Sequence, residues 1–145
     1  MTAAGAVDAV AVGSLRLVLV RLVRRTRKHS DLGLTPSQLS ALSTVDRHGP
    51  LRLGRLAELE QITKSSVTRL VARLEEEGIL ARIADSDDGR SSQVQLTDKG
   101  RRLMREGNVR ADAYLGRQIA ALTPEEQGRL FSVIPVLQRL LETKA

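Results

Sequence analysis

From residue 63 to residue 73 the chain reads T-K-S-S-V-T-R-L-V-A-R, and Lys64, Ser65, Ser66, Thr68, Arg69 and Arg73 are hydroxyls and cations set at helical spacing around an apolar stripe. Such groups hydrogen-bond base edges and phosphates, and a helix N-terminus adds partial positive charge and free backbone donors. The chemistry suits double-stranded DNA. A solvated polar face on an ordinary bundle helix is the plainer alternative, because charged helix faces are common. Further along, Asp85-Ser86-Asp87-Asp88-Gly89-Arg90 puts a cation at the end of an acidic turn. Arg90 suits the narrow, electronegative minor groove. At least one carboxylate, Asp88 first among them, is expected to pair with Arg90 or with an Arg of the preceding helix and orient it. The run lacks the glycine and distal glutamate placement of a calcium loop.

Catalytic and metal chemistry find no comparable pattern. Cys is 0, which excludes thiolate zinc, iron–sulfur ligation, a cysteine nucleophile and a thiol redox switch, and fits a reducing cytoplasm. His29 and His48 have no carboxylate at metal spacing and are expected at helix ends in exposed or capping roles. Ser65-Ser66 and Ser91-Ser92 have no base nearby in sequence, and Gly49, Gly78, Gly89 and Gly100 punctuate elements. No catalytic, cofactor-binding or metal residue is expected. With 23 Lys+Arg against 17 Asp+Glu, the 145 residues carry a net charge of +6. That excess speaks to partners, not to fold. Tyr114 and Phe131 are the only Phe, Tyr or Trp residues, which counts against modules that stack bases on aromatic side chains.

The elements that must position these residues are marked by local chemistry. Thr63 is an N-cap, with Ile62 and Val67 at the two positions of a hydrophobic staple; Val67, Leu70, Val71 and Leu74 form the buried stripe. Gly78 fits the left-handed position of a Schellman ending, with Ile79 placed to touch Leu74. A short helix over about 51–60, with Leu53, Leu56 and Ala57 inward, precedes it through the turn Gln61-Ile62. Together they read as a helix-turn-helix. Upstream, Thr35-Pro36-Ser37-Gln38 is a capping box that starts a helix running to about Arg47, with Leu39, Leu42 and Val45 buried. Downstream, strands at 79–84 and 91–96 flank the acidic turn and make a hairpin, the wing of a winged helix.

The chain ends carry long helices. Leu15, Val18, Leu19, Leu22 and Val23 stripe an amphipathic helix of about residues 7–29. Its apolar residues precede Arg21, Arg24, Arg25, Arg27 and Lys28, the reverse of an export signal, and Asp8, Arg16 and Arg21 interrupt it too early for a membrane span. A basic amphipathic helix lying on a membrane surface is the alternative to core or dimer packing. Thr97 caps a helix reaching about Ala121, with Leu103, Ala111, Tyr114, Leu115, Ile119 and Leu122 on one side; Thr123-Pro124-Glu125-Glu126 caps another. The last helix, with Leu130, Val133, Ile134, Leu137, Leu140 and Leu141, is too apolar to stand alone and needs a partner: a dimer interface, or else packing within the chain. Pro135 is expected to kink or interrupt it.

The run Leu74-Glu75-Glu76-Glu77-Gly78-Ile79-Leu80-Ala81-Arg82, then Asp85, Asp88, Gly89-Arg90 and Leu96-Thr97-Asp98-Lys99-Gly100, resembles the winged-helix core of MarR-family transcriptional regulators. The D-x-x-D-G-R and L-T-x-K-G patterns are its most specific part. The fold it implies is mainly α with a small β-hairpin wing: one domain over 1–145, a DNA-binding lobe at 34–100, and dimerisation helices at 7–29 and 101–145. The resemblance also implies a cytoplasmic homodimer, most often a repressor, on a pseudo-palindromic operator. The helix at 64–76 would lie in the major groove and Arg90 in the minor groove. In many members a small phenolic or anionic ligand controls binding; here Arg16, Arg21 or Arg47 would hold it, in an aliphatic pocket lined by no rings but Tyr114 and Phe131. A winged-helix protein-interaction module without an operator is the alternative.

Overall fold

The computed structural model describes residues 7–142. The elements in order are α1 (Ala9–Ser30), α2 (Pro36–His48), β1 (Leu51–Arg52), α3 (Leu53–Glu60), α4 (Lys64–Glu76), β2 (Leu80–Ala84), β3 (Ser92–Leu96), α5 (Asp98–Ala120) and α6 (Pro124–Glu142). The chain forms two compact units. One is Ser30–Val109; the other comprises the described residues up to His29 and those from Arg110 onward. The ends of the expected 1–145 and 101–145 stretches, residues 1–6 and 143–145, lie outside the described residues.

The unit Ser30–Val109 is built on caps. Thr35 accepts from the Gln38 backbone N–H at 3.2 Å while the Gln38 side chain accepts from the Thr35 N–H at 2.9 Å, the reciprocal box expected from sequence. Thr63 caps α4 by accepting from the Ser66 N–H at 3.2 Å. Gly78, at φ 72°, ends α4 as a Schellman motif: its N–H donates to the Glu75 carbonyl and that of Ile79 to the Leu74 carbonyl, both at 2.9 Å. These ends aim the apolar stripes inward. Leu42, Val45, Leu56, Val67, Val71, Leu74, Ile79, Leu80, Val94, Leu96 and Met104 form the core, with Leu39, Leu53, Leu70 and Leu103 half-buried around it. At Gly100, in the first turn of α5, a Cβ would collide with the Ile79 carbonyl oxygen, so glycine alone lets α5 start beneath the end of α4.

The sheet differs from the expected two-stranded hairpin. Leu51 and Arg52, expected as the start of a helix, form a strand that pairs antiparallel with β3 (Leu51 opposite Val94, Arg52 opposite Gln93), giving the order β1-β3-β2. The hairpin itself registers Leu80 with Leu96 and Ala84 with Ser92. Pro50 bars helix before Leu51, and the open edge of β3 takes up the two residues after it.

In the other unit, α1 starts at Ala9 because Asp8 caps it, its carboxylate accepting from the Val10 N–H at 2.9 Å. Helix α6 begins with a second reciprocal box, Glu126 accepting from the Thr123 N–H at 2.8 Å and Thr123 from the Glu126 N–H at 3.2 Å. Pro135 does not interrupt it. The helix runs unbroken from Pro124 to Glu142, because an exposed proline removes one backbone donor without ending a well-capped helix. Within this chain no residue of α6 is buried: Leu130, Val133, Ile134 and Leu140 are 41–59% exposed. Leu15, Val18, Leu19, Leu22 and Val23 of α1 are likewise exposed. His29 stacks on Tyr114, ring centroids 3.8 Å apart and planes 10° from parallel. Among the described residues no helix is long and apolar enough to cross a membrane.

Candidate nucleic-acid interface

The polar face of α4 is positioned by the burial of its opposite side. Val67, Val71 and Leu74 are at most 1% exposed, so Lys64, Ser65, Thr68, Arg69 and Arg73 project outward and Ser66 sits at the boundary. The hydroxyls at the start are linked. Thr63 Oγ1 donates to Ser66 Oγ at 2.9 Å and lies 3.1 Å from Ser65 Oγ, while Thr68 Oγ1 donates back to the Lys64 carbonyl at 2.8 Å. Arg73 is drawn toward Glu77 (3.6 Å), one turn on.

Two grooves flank α4. One, toward α2, is lined by Ser66, Arg69 and Arg73 together with Thr35 and Ser37. The other runs between α3, the first residue of α4 and the wing, and brings Lys64 and Arg90 together across the sequence. Ser65 and Thr68 line neither groove and stand exposed on α4.

The acidic turn works differently from the expectation. Among the described residues Asp88 pairs with no guanidinium: its carboxylate accepts from the Arg90 backbone N–H at 3.0 Å, and its carbonyl accepts from the Ser91 N–H at 3.0 Å. It shapes the tip and leaves the Arg90 side chain exposed. The carboxylate that does pair is Asp85, and its partner is Arg52 of β1, through Nε. Asp85 also accepts from the Asp87 N–H and the Ser91 hydroxyl, each at 3.0 Å. The Asp87 amide and the Arg52 guanidinium hold its carboxyl below the ordinary range, and the Asp85 carboxylate in turn raises Arg52. The side chain of Asp85 is 1% exposed and that of Arg52 51%. Neither was singled out in this role from sequence. The signal was faint: the partners lie 33 residues apart, and the strand that carries Arg52 is two residues long.

The base of the wing is tied to the end of α4. Arg82 Nε donates to Glu75 at 2.9 Å, Lys99 Nζ to the Glu77 carbonyl at 2.6 Å, and Thr97 Oγ1 to the Gly78 carbonyl at 2.6 Å. Glu75 through its carboxylate and Glu77 through its backbone carbonyl therefore both serve the frame. Among the described residues there is no group of three or more His, Asp or Glu able to hold a metal ion.

The chain is similar to known proteins in sequence and in fold. The MarR family profile matches residues 34–92. The chain is 32% identical over 111 residues to the HTH-type transcriptional repressor MdtR of Bacillus subtilis, covering 77% of this chain and 72% of that one. The crystal structure of the transcriptional regulator Tm0710 from Thermotoga maritima superposes with a TM-score of 0.69 at 27% identity, over 90% of this chain and 95% of that one. A MepR variant from S. aureus bound to an oligodeoxyribonucleotide is similar in fold, with a TM-score of 0.67 at 20% identity over 90% and 97% of the two chains.

Proposed function

Because this chain belongs to the MarR family of DNA-binding transcriptional regulators, and is a regulator rather than an enzyme, we propose that it acts as a homodimeric repressor on a pseudo-palindromic operator. The convergence of Lys64 and Arg90 on one cleft carries the reading, since it supports a helix in the major groove with the wing in the minor groove beside it. Lys64, Ser65, Ser66, Thr68, Arg69 and Arg73 are the residues that face the major groove. Arg90 enters the adjoining minor groove, and Asp88 supports it by fixing the turn beneath. The repressor part draws on the likeness to MdtR, named as a repressor, and the DNA part on the MepR variant held on an oligodeoxyribonucleotide. The dimer draws on the exposed apolar residues of α1 and α6, which monomeric proteins seldom leave uncovered in such number. A small phenolic or anionic effector is the release signal in this reading.

Selection from fragmented genomic DNA with the purified protein tests it. One enriched palindrome is expected, its half-sites about 34–36 Å apart or a multiple of that spacing. Arg90→Ala should weaken binding to it by about 1–3 kcal/mol at fixed salt. Failure to enrich any sequence would support a protein-interaction module instead. Undiminished affinity of Arg90→Ala would remove Arg90 from the groove.

A further inference from the structure

The cleft between α3, the start of α4 and the wing holds more positive charge than Lys64 and Arg90 bring to it. Arg52 and Arg55 line it as well; Glu58 pairs with Arg55 at 2.9 Å, and the carboxylates of Asp85, Asp88 and Asp87 act on Arg52 from the wing. Arg52 is the unusual member. Its Nε is anchored on the buried Asp85, which is itself fixed by Ser91 and the Asp87 amide. Its two terminal nitrogens make no hydrogen bond among the described residues, and the side chain is half exposed. A staple between strand and turn accounts for Nε alone. It leaves the terminal donor pair without a bond, on a side chain that lines a cleft with three more cations.

Arg52 also occupies the N-cap position of α3, where its side chain makes no capping bond. A cation stands where an acceptor usually satisfies the first-turn amides, which leaves the start of this helix favourable to an anion. Gly54, in that first turn, lines the same cleft with open space where a side chain would sit.

We propose that this cleft is a phosphate clamp: Arg52, pre-oriented by Asp85, and Arg55 hold the DNA backbone where it passes between α4 and the wing. The proposal rests on the DNA-binding reading above. A sugar-phosphate strand separates any major groove from the minor groove beside it, so a protein engaging both must straddle that strand. A guanidinium presents paired donors that match phosphate oxygens, and one already fixed through Nε loses little rotamer freedom on binding. The contact carries no sequence information, so it sets affinity and register, not choice of site.

The test measures binding of the full-length protein, as a function of salt, to a random-sequence duplex and to the duplex recovered by selection. Arg52→Gln and Arg55→Gln should each flatten the slope of log K against log salt by about 0.9 and weaken both duplexes equally. If Arg52→Gln does not fold, the double variant Arg52→Gln/Asp85→Asn, which leaves no unpaired buried charge, is read by the same criterion. An unchanged slope in the folded Arg52 variant overturns the clamp while wild-type binding stands. A loss confined to the selected duplex overturns it too, by making Arg52 a reader of bases. No salt-dependent binding by the wild type would instead overturn the DNA reading itself.

Discussion

At the scale of single residues, Asp85 joins the wing to the rest of its unit through charge. Hydrogen bonds from the Asp87 amide and Arg52 lower its pKa in the folded chain, so folding favours the ionised form. Its contribution to stability is therefore fully present above the ordinary carboxylate range, around pH 4, and is lost as pH falls through the lowered native value. Asp98, lowered by Arg101, adds a contribution of the same sign. Melting temperature measured against pH should fall below about pH 4 in the wild type, and less steeply in Asp85→Asn, whose side chain cannot titrate. Parallel curves for the two proteins would mean that the pair is not coupled to folding. Asp85 was among the carboxylates expected to work at the wing, but Asp88 was the one expected to hold a guanidinium. The two lie three residues apart in the same turn, and only the return of β1 to the sheet decides which meets an arginine.

At the scale of elements, what could be read in advance was whatever is written in neighbouring residues. Thr35, Thr63 and Thr123 each bond their own N3 amide, and Gly78 takes the left-handed turn, because capping is decided within one turn of the helix. The strand β1 is not legible in the sequence for the opposite reason. Two residues have no periodicity, and their pairing depends on β3, some forty positions away. Pro135 shows the limit of a local rule: one missing donor weakens a helix but does not end it when the segment around it favours helix. The cap of α4 offers a direct check. Thr63→Ala should cost about 1 kcal/mol in urea unfolding, whereas Thr63→Ser, which keeps the acceptor, should cost much less. Equal losses in both variants would show that the methyl group, not the hydroxyl, matters at this position.

At the scale of the molecule, apolar surface is distributed unevenly. The unit Ser30–Val109 closes its own core, while α1 and α6 leave their stripes exposed in a single chain. The sequence shows that α6 is too apolar to stand alone, but it does not contain the second surface. If that surface is another copy of the chain, Ile134→Glu should shift sedimentation toward the monomer. It should also weaken binding to a two-half-site duplex by about 100-fold or more, because the second half-site is no longer tethered to the first. A variant that stays dimeric would move the interface away from this face of α6.

The stack of His29 on Tyr114 has a practical use. With no tryptophan in the chain and no second tyrosine, all native ultraviolet emission at tyrosine wavelengths comes from one phenol, lying against one imidazole. The protein thus contains its own optical reporter, placed where the end of α1 meets α5. Any event that separates these two rings, whether dimerisation, operator binding or effector binding, can be followed without attaching a dye.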